Sequence, residues 1–302
     1  MTLTELRYLV AVARERHFGR AAERCFVSQP TLSVAIKKLE DELGLTLFER
    51  GASDVSVTPE GERIVAQARR VLEESAILKE MAKQGGDPLK GPLRLGAIYT
   101  VAPYVLPQLI PVMHKRAPQM PLLIRENFTE QLLPMLREGE LDAIMVALPA
   151  TEPGLVARAL YREPFFVAVP AGHPWAKRKE IAAGEVYDES LLLLGAGHCF
   201  RDQVLDFCHA RKTAGLPQTM EGTSLETIRH MVASGVGITV LPASALAVKG
   251  VEHRLLRYIP FRKPAPERVI GLLWRKSFSR PKAIEALIAG VAACELHGVK
   301  PV

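Results

Sequence analysis

Residues 26–40 read Phe26-Val27-Ser28-Gln29-Pro30-Thr31-Leu32-Ser33-Val34-Ala35-Ile36-Lys37-Lys38-Leu39-Glu40. A serine hydroxyl caps the free amides of a helix start, and Pro30 falls in the first turn, where its missing N–H costs nothing. Leu32, Ala35, Ile36, Leu39 and Leu43 recur at helical spacing and predict a buried face, while Gln29, Thr31, Ser33, Val34, Lys37 and Lys38 fall elsewhere on the helix. Gly44 supplies the stop. Upstream, Leu3, Leu6, Leu9, Val10 and Ala13 predict an amphipathic helix, and residues 18–24 a short one whose Ala21 and Ala22 let a neighbour pack closely. Two short helices joined by a tight turn form a helix-turn-helix. Its second helix can enter the major groove of double-stranded DNA, with Ser28, Gln29, Pro30, Thr31, Ser33 and Val34 toward base edges and Lys37 or Lys38 toward phosphates. The same spacing also fits a three-helix packing module with a solvated polar face.

Beyond this head, residues 45–50 and 55–57 alternate like the strands of a small hairpin wing around Gly51-Ala52-Ser53-Asp54. Thr58-Pro59-Glu60-Gly61 opens a helix to about residue 83, with Ile64, Ala68, Val71, Leu72, Ser75, Leu78 and Met81 along one side. A long apolar stripe with no domain around it calls for a partner helix and is read as a dimerisation element. Gly85-Gly86-Asp87-Pro88 and Gly91-Pro92 break the pattern. From residue 93 strands alternate with helices, which predicts α/β architecture with a mostly parallel sheet in two lobes and a ligand cleft between them. The expected organisation is a winged helix-turn-helix at 1–57, a dimerisation helix at 58–84, a hinge at 85–91 and a two-lobed regulatory domain at 92–302. One lobe takes 92–162 with 268–302, the other 163–267.

The chain has 302 residues, 24% charged, with net charge +6 and four cysteines. The positive excess does not sit on the head: residues 1–86 carry 13 cationic and 13 acidic side chains, whereas residues 249–302 carry 11 and 4. Helix geometry, and not global charge, is therefore the nucleic-acid signal. The sequence shows neither a membrane span nor a signal peptide, so a cytoplasmic protein with thiols kept reduced is expected. Walker A, HExxH, GxSxG and strand-linked GxGxxG sequences are missing, and the spacing of His198, Cys199, Cys208 and His209 matches no common zinc site, so neither a metal nor a cofactor is expected.

The remaining chemistry lies in Gly195-Ala196-Gly197-His198-Cys199-Phe200-Arg201-Asp202, with Cys208 following. Taken alone, the pair reads first as two ordinary thiols, Cys208 being buried beside Phe207. The alternative is a redox pair. A thiol after a Gly-rich turn, near a helix start and beside Arg201, favours the reactive thiolate, and His198 could hydrogen-bond the thiolate or an oxidant. Cys208 would then resolve a sulfenic acid on Cys199, with a change of shape if the intervening residues are helical.

Arg20-Ala21-Ala22-Glu23, Val27-Ser28-Gln29-Pro30-Thr31-Leu32-Ser33, Leu39-Glu40, Leu43-Gly44, Leu47-Phe48-Glu49-Arg50 and Thr58-Pro59-Glu60-Gly61 together resemble the head of LysR-type transcriptional regulators. The α/β remainder resembles their periplasmic-binding-protein-like effector domain. Gly197-His198-Cys199-x-Arg201-Asp202-Gln203 with Cys208, followed by Thr223-Ser224-Leu225-Glu226-Thr227, resembles the hydrogen-peroxide-sensing branch. The resemblance spans the whole chain. It implies a tetrameric activator, a dimer of dimers that also binds DNA when reduced and works with RNA polymerase. It implies further that a Cys199–Cys208 disulfide rearranges the subunits, and that Thr100, Thr129, His198 and Asp202 form the peroxide pocket beside Arg201. Hydroxyls and an imidazole suit a ligand that needs donors and acceptors at both oxygens. The wing departs from the family pattern: it has an acid at Asp54 and no base beyond Arg50. Two other functions remain in view, a regulator sensing a small metabolite between the lobes and a thiol peroxidase, the latter weakened by the head.

Overall fold

The structure, a computed structural model, describes residues 1–50, 55–84, 87–150, 152–208, 221–247 and 254–302. It divides into two units, Met1–Gly86 and Asp87–Val302.

The first unit begins with α1 (Leu3–Glu15), α2 (Phe18–Arg24) and α3 (Gln29–Leu43). Ser28 is the N-cap of α3, its Oγ accepting from the Thr31 amide at 3.3 Å, and Gly44 ends the helix with φ 65°. Both signals act as expected, because a serine satisfies an orphan amide and a glycine adopts the left-handed conformation without a Cβ clash. Leu9, Ala21, Leu32, Ile36 and Leu39 are fully buried where the three helices meet. Glu40 Oε1 accepts from the amides of Leu47 and Phe48, at 2.7 and 3.2 Å, tying α3 to the hairpin of β1 (Phe48–Arg50) and β2 (Val55–Val57). The wing tip, Gly51 to Asp54, lies outside the described residues.

Next comes α4 (Pro59–Gln84). The first half of its apolar stripe is not left for a partner: Val65 and Ala68 are buried in the head core, and Ile64, Val71 and Leu72 pack against it. Further along, Leu78 is 69% exposed.

The second unit opens with β3 (Leu93–Ile98), α5 (Ala102–Arg116), β4 (Leu122–Asn127), α6 (Thr129–Arg137), β5 (Ala143–Leu148) and β6 (Leu155–Pro170). There follow β7 (Leu193–Leu194), α7 (Cys199–Phe207), β8 (Glu221–Gly222), α8 (Leu225–Ala233) and β9 (Thr239–Pro242). The chain closes with β10 (Leu256–Pro260), β11 (Glu267–Arg275), α9 (Pro281–Ala292) and β12 (Lys300–Pro301). The main sheet runs β10-β6-β11-β5-β3-β4, with β9 and β12 also on β6.

This sheet corrects the mostly parallel expectation. Strand β3 is parallel to β4 and β5, but β11 runs antiparallel to β5 and β6, and β6 antiparallel to β9 and β10. The reason is β6, a 16-residue strand whose first half pairs with β11 and whose second half pairs with β9 and β10. A strand that passes from one core to the other makes the returning β11 its antiparallel neighbour. One core lies around β3, β5, α5 and α9, with Leu95, Leu109, Ile144 and Leu287 fully buried. The other gathers Phe165, Val167, Leu193, Phe200, Val204 and Ile228.

Candidate functional site

The loops at the C-terminal ends of β3 and β4 face the start of α7. There Ile98, Tyr99, Thr100, Asn127, Phe128, Thr129, Gly197, His198 and Cys199 line a cavity. The cavity is small, about 10 Å³, and partly open to solvent. Cys199 is the first residue of α7 and half-buried. Thr129, the first residue of α6, directs its hydroxyl to Cys199 Sγ at 3.8 Å.

Thr100 is 2% exposed, and its Oγ1 accepts from Arg268 Nη1 at 2.9 Å while its carbonyl accepts from Nη2 at 2.9 Å. With one lone pair engaged, the hydroxyl keeps its own proton to donate. Arg268 in turn pairs with Glu163 at 2.6 Å, both fully enclosed, and its guanidinium lies 5.1 Å from the centre of the Phe200 ring. His198 is buried against the edges of Tyr99 and Phe128, with ring centroids 5.8 and 4.8 Å away. Burial holds its imidazole below the ordinary histidine range, opposed in part by a hydrogen bond to the Thr223 backbone, so it is neutral at pH 7.

The structure thus brings Thr100, Thr129, His198 and Cys199 together. Arg201 and Asp202 stand in the first turn of α7 but are not among the cavity walls. Arg201 departs from the expectation that it assists the thiol: its Nη1 donates to the Leu194 carbonyl at 2.7 Å and to Glu221 Oε1 at 2.5 Å, because β7 and β8 place both acceptors beside it. Sequence reasoning missed Tyr99, Phe128, Arg268 and Glu163. The first two carried a usable signal, being aromatic residues immediately before the two threonines that follow β3 and β4.

On the head, Ser28, Gln29, Pro30, Thr31, Val34, Lys37 and Lys38 are exposed and Ser33 half-buried. They cover the start and the outward face of α3. Ser28 Oγ and Thr31 Oγ1 are 2.8 Å apart, and Lys38 Nζ is 3.5 Å from Glu5 Oε1. Arg50 closes β1. Residues 3–62 match the model described as bacterial regulatory helix-turn-helix protein, lysR family, and residues 86–293 match the LysR substrate binding domain. The chain belongs to the LysR family of bacterial transcription regulators.

Among relatives within the LysR family, the chain is 45% identical over 275 residues to the hydrogen peroxide-inducible genes activator of Dickeya chrysanthemi, covering 91% of this chain and 90% of the relative. It is 43% identical over 295 residues to the DNA-binding transcriptional dual regulator OxyR of Escherichia coli K12, covering 97% and 95%. A solved full-length OxyR variant from Pseudomonas aeruginosa is 52% identical and superposes with a TM-score of 0.77, covering 99% of this chain and 98% of that one.

In this LysR-family chain the second thiol sits at the opposite end of α7. Cys208 is the C-cap, 2% exposed, in the core with Phe200 and Val204, whereas Cys199 packs against the other core. Burial pushes the Cys208 thiol up to about 12. At pH 8 on the order of one molecule in ten thousand would then carry a thiolate there, against about one in four for an ordinary protein thiol. In the native reduced protein, iodoacetamide is therefore expected to label Cys208 far more slowly than Cys199, read by peptide mass spectrometry. Equal labelling would mean that the second core opens freely around Cys208. Among the described residues, no three His, Cys, Asp or Glu side chains converge as a metal site, and no helix is long and apolar enough to cross a membrane.

Proposed function

We propose that this LysR-family regulator senses hydrogen peroxide through Cys199 and converts its oxidation into altered DNA contacts. The observation that carries the reading is the half-buried Cys199 sulfur at the start of α7, lining a small cavity, with the Thr129 hydroxyl at 3.8 Å. The Cys199 sulfur attacks one peroxide oxygen, the O–O bond breaks, and the leaving oxygen departs as water, leaving a sulfenic acid. Thr100, Thr129 and neutral His198 supply donors and acceptors for the two oxygens. Arg201, in the first turn of α7, ties the start of that helix to Leu194 and Glu221 from outside the cavity.

The Cys208 thiol then attacks the sulfenic sulfur, and a second water leaves as the disulfide forms. Nine helical steps at about 1.5 Å each separate the two residues by roughly 13 Å, whereas a disulfide tolerates Cα atoms only about 7 Å apart. Helix α7 must unwind, and Phe200 and Val204 must leave their places in the second core. That repacking is the signal, passed from the regulatory domain at 92–302, with lobes at 92–162 plus 268–302 and at 163–267, through the hinge at 85–91 to the helix at 58–84 and the head at 1–57. The assembled regulator is a cytoplasmic tetramer, a dimer of dimers, that works with RNA polymerase. It is a sensor and not an enzyme in this reading, because the thiol is coupled to a DNA-binding head.

Mass spectrometry of peptides after stoichiometric peroxide, read beside a footprint on DNA, tests the reading. A Cys199–Cys208 link with a changed footprint is expected, and no link would overturn it. On the head, Ser28, Gln29, Pro30, Thr31, Ser33 and Val34 face the bases and Lys37, Lys38 and Arg50 the phosphates. Lys37→Ala is expected to weaken binding to all duplexes alike and to reduce the salt slope of the affinity by about one. An unchanged slope in an anisotropy titration removes Lys37 from the interface.

A further inference from the structure

Three aromatic rings meet at the mouth of the cavity. Tyr99 and Phe128 are 5.3 Å apart at 74°, Tyr99 and His198 5.8 Å apart at 61°, and Phe128 and His198 4.8 Å apart at 76°. Each ring abuts the other two edge to face, an attractive geometry, so none moves without losing two contacts. Phe128 is backed by the main chain: Gly197 has φ 93°, and a Cβ built there would lie 3.4 Å from the Phe128 ring. His198 is buried, Phe128 half-buried and Tyr99 36% exposed, so the cluster runs from the cavity wall out to solvent.

We infer that Tyr99 and Phe128 form a size filter that admits hydrogen peroxide to Cys199 and excludes bulky organic hydroperoxides. The inference rests on the peroxide reading above and concerns which oxidant that same thiol accepts. Displacement at oxygen is in line: sulfur attacks one oxygen, the O–O bond breaks, and the leaving oxygen lies opposite the sulfur. For hydrogen peroxide the departing group becomes water. For an organic hydroperoxide it becomes an alcohol, and its carbon substituent must occupy the space opposite the sulfur, in a cavity of only about 10 Å³ walled by Tyr99 and Phe128. Thr100 and Thr129 recognise oxygens that both oxidants possess, so these hydroxyls cannot discriminate. Only the walls can. Tyr99 is the wall whose removal opens the cavity to solvent with least loss of buried packing.

The test uses the reduced full-length chain and measures loss of alkylatable Cys199 with hydrogen peroxide and with cumene hydroperoxide, in the native protein, Tyr99→Ala and Phe128→Leu. For Tyr99→Ala the ratio of the hydrogen peroxide rate to the cumene hydroperoxide rate is expected to fall at least about tenfold, through faster reaction with cumene hydroperoxide. Phe128→Leu, which keeps an apolar side chain against Gly197, is expected to move the ratio the same way by less. An unchanged ratio in both variants overturns the filter, as does equal acceleration by both oxidants. If the native protein loses no Cys199 to hydrogen peroxide, the sensing reading itself falls. That result is separate from a native protein that reacts and variants that keep its ratio.

Discussion

Cys199→Ser is expected to leave a folded chain that binds DNA and no longer responds to peroxide. The substitution exchanges sulfur for oxygen at the first position of α7, where a small polar side chain suits the open amides of a helix start. Packing around it changes little, and thermal stability should stay close to that of the native reduced protein. What is lost is chemistry: a serine hydroxyl cannot take an oxygen from peroxide, so no sulfenic acid forms and Cys208 has nothing to attack. The footprint should be identical with and without peroxide, and peptide mapping should show no link to residue 208. Cys208→Ser separates the two steps. Peroxide should still oxidise Cys199, detectable by a sulfenic-acid trap, but α7 has no partner thiol to pull it apart, so the footprint should remain that of the reduced form. A Cys199→Ser protein whose footprint still shifted with peroxide would refute sensing at this thiol and favour a small molecule read elsewhere in the regulatory domain.

How much of this was legible beforehand differs between the two units. In the head, the signals are local: Ser28 caps, Gly44 stops, and Leu32, Ile36 and Leu39 mark the buried face, all within one helix. Cys199 and Cys208, taken alone, read first as ordinary thiols, but their separation along a helix followed from spacing. Arg201 was misread because proximity in sequence to Cys199 suggested a partner. Its actual acceptors, Leu194 and Glu221, arrive from a short parallel strand pair that sequence periodicity scarcely marks.

The basic surplus at 249–302 was likewise read as charge alone. Three of its arginines are inside the protein. Arg275 bonds the carbonyls of Leu136 and Leu141, Arg280 those of Pro88, Gly91 and Pro92, and Arg268 the pair of Thr100 and Glu163. A guanidinium has five donors and can be spent entirely on buried acceptors, but those acceptors lie 105 to 192 residues away in sequence, beyond any local pattern. Tyr99 and Phe128 each stand before a threonine in the sequence, but that they pack together is set by two loops from different strands and shows only in the fold.

Arg268 yields the second large effect. Its side chain is 1% exposed and that of Glu163 0%, with Nε donating to Glu163 Oε1 at 2.7 Å, and Glu163 Oε2 accepting from Ser244 Oγ at 2.7 Å. Removing one member of such a pair leaves an uncompensated buried charge. Arg268→Ala is therefore expected to destabilise the regulatory domain by about 3–5 kcal/mol in reversible denaturant unfolding. Replacing the pair with uncharged side chains of similar bulk, Arg268→Met with Glu163→Gln, removes the stranded charge and should recover most of that loss. Stability and sensing should then part company. Met cannot donate to Thr100, so the Thr100 hydroxyl loses the bond that fixes it at the cavity wall, and oxidation of Cys199 should stay slow in the double variant although the fold is restored. A double variant as unstable as Arg268→Ala would mean the ion pair carries net stability of its own. One that reacts with peroxide at the native rate would show that Thr100 holds its place without Arg268, and would confine the role of this buried pair to joining β6 to β11.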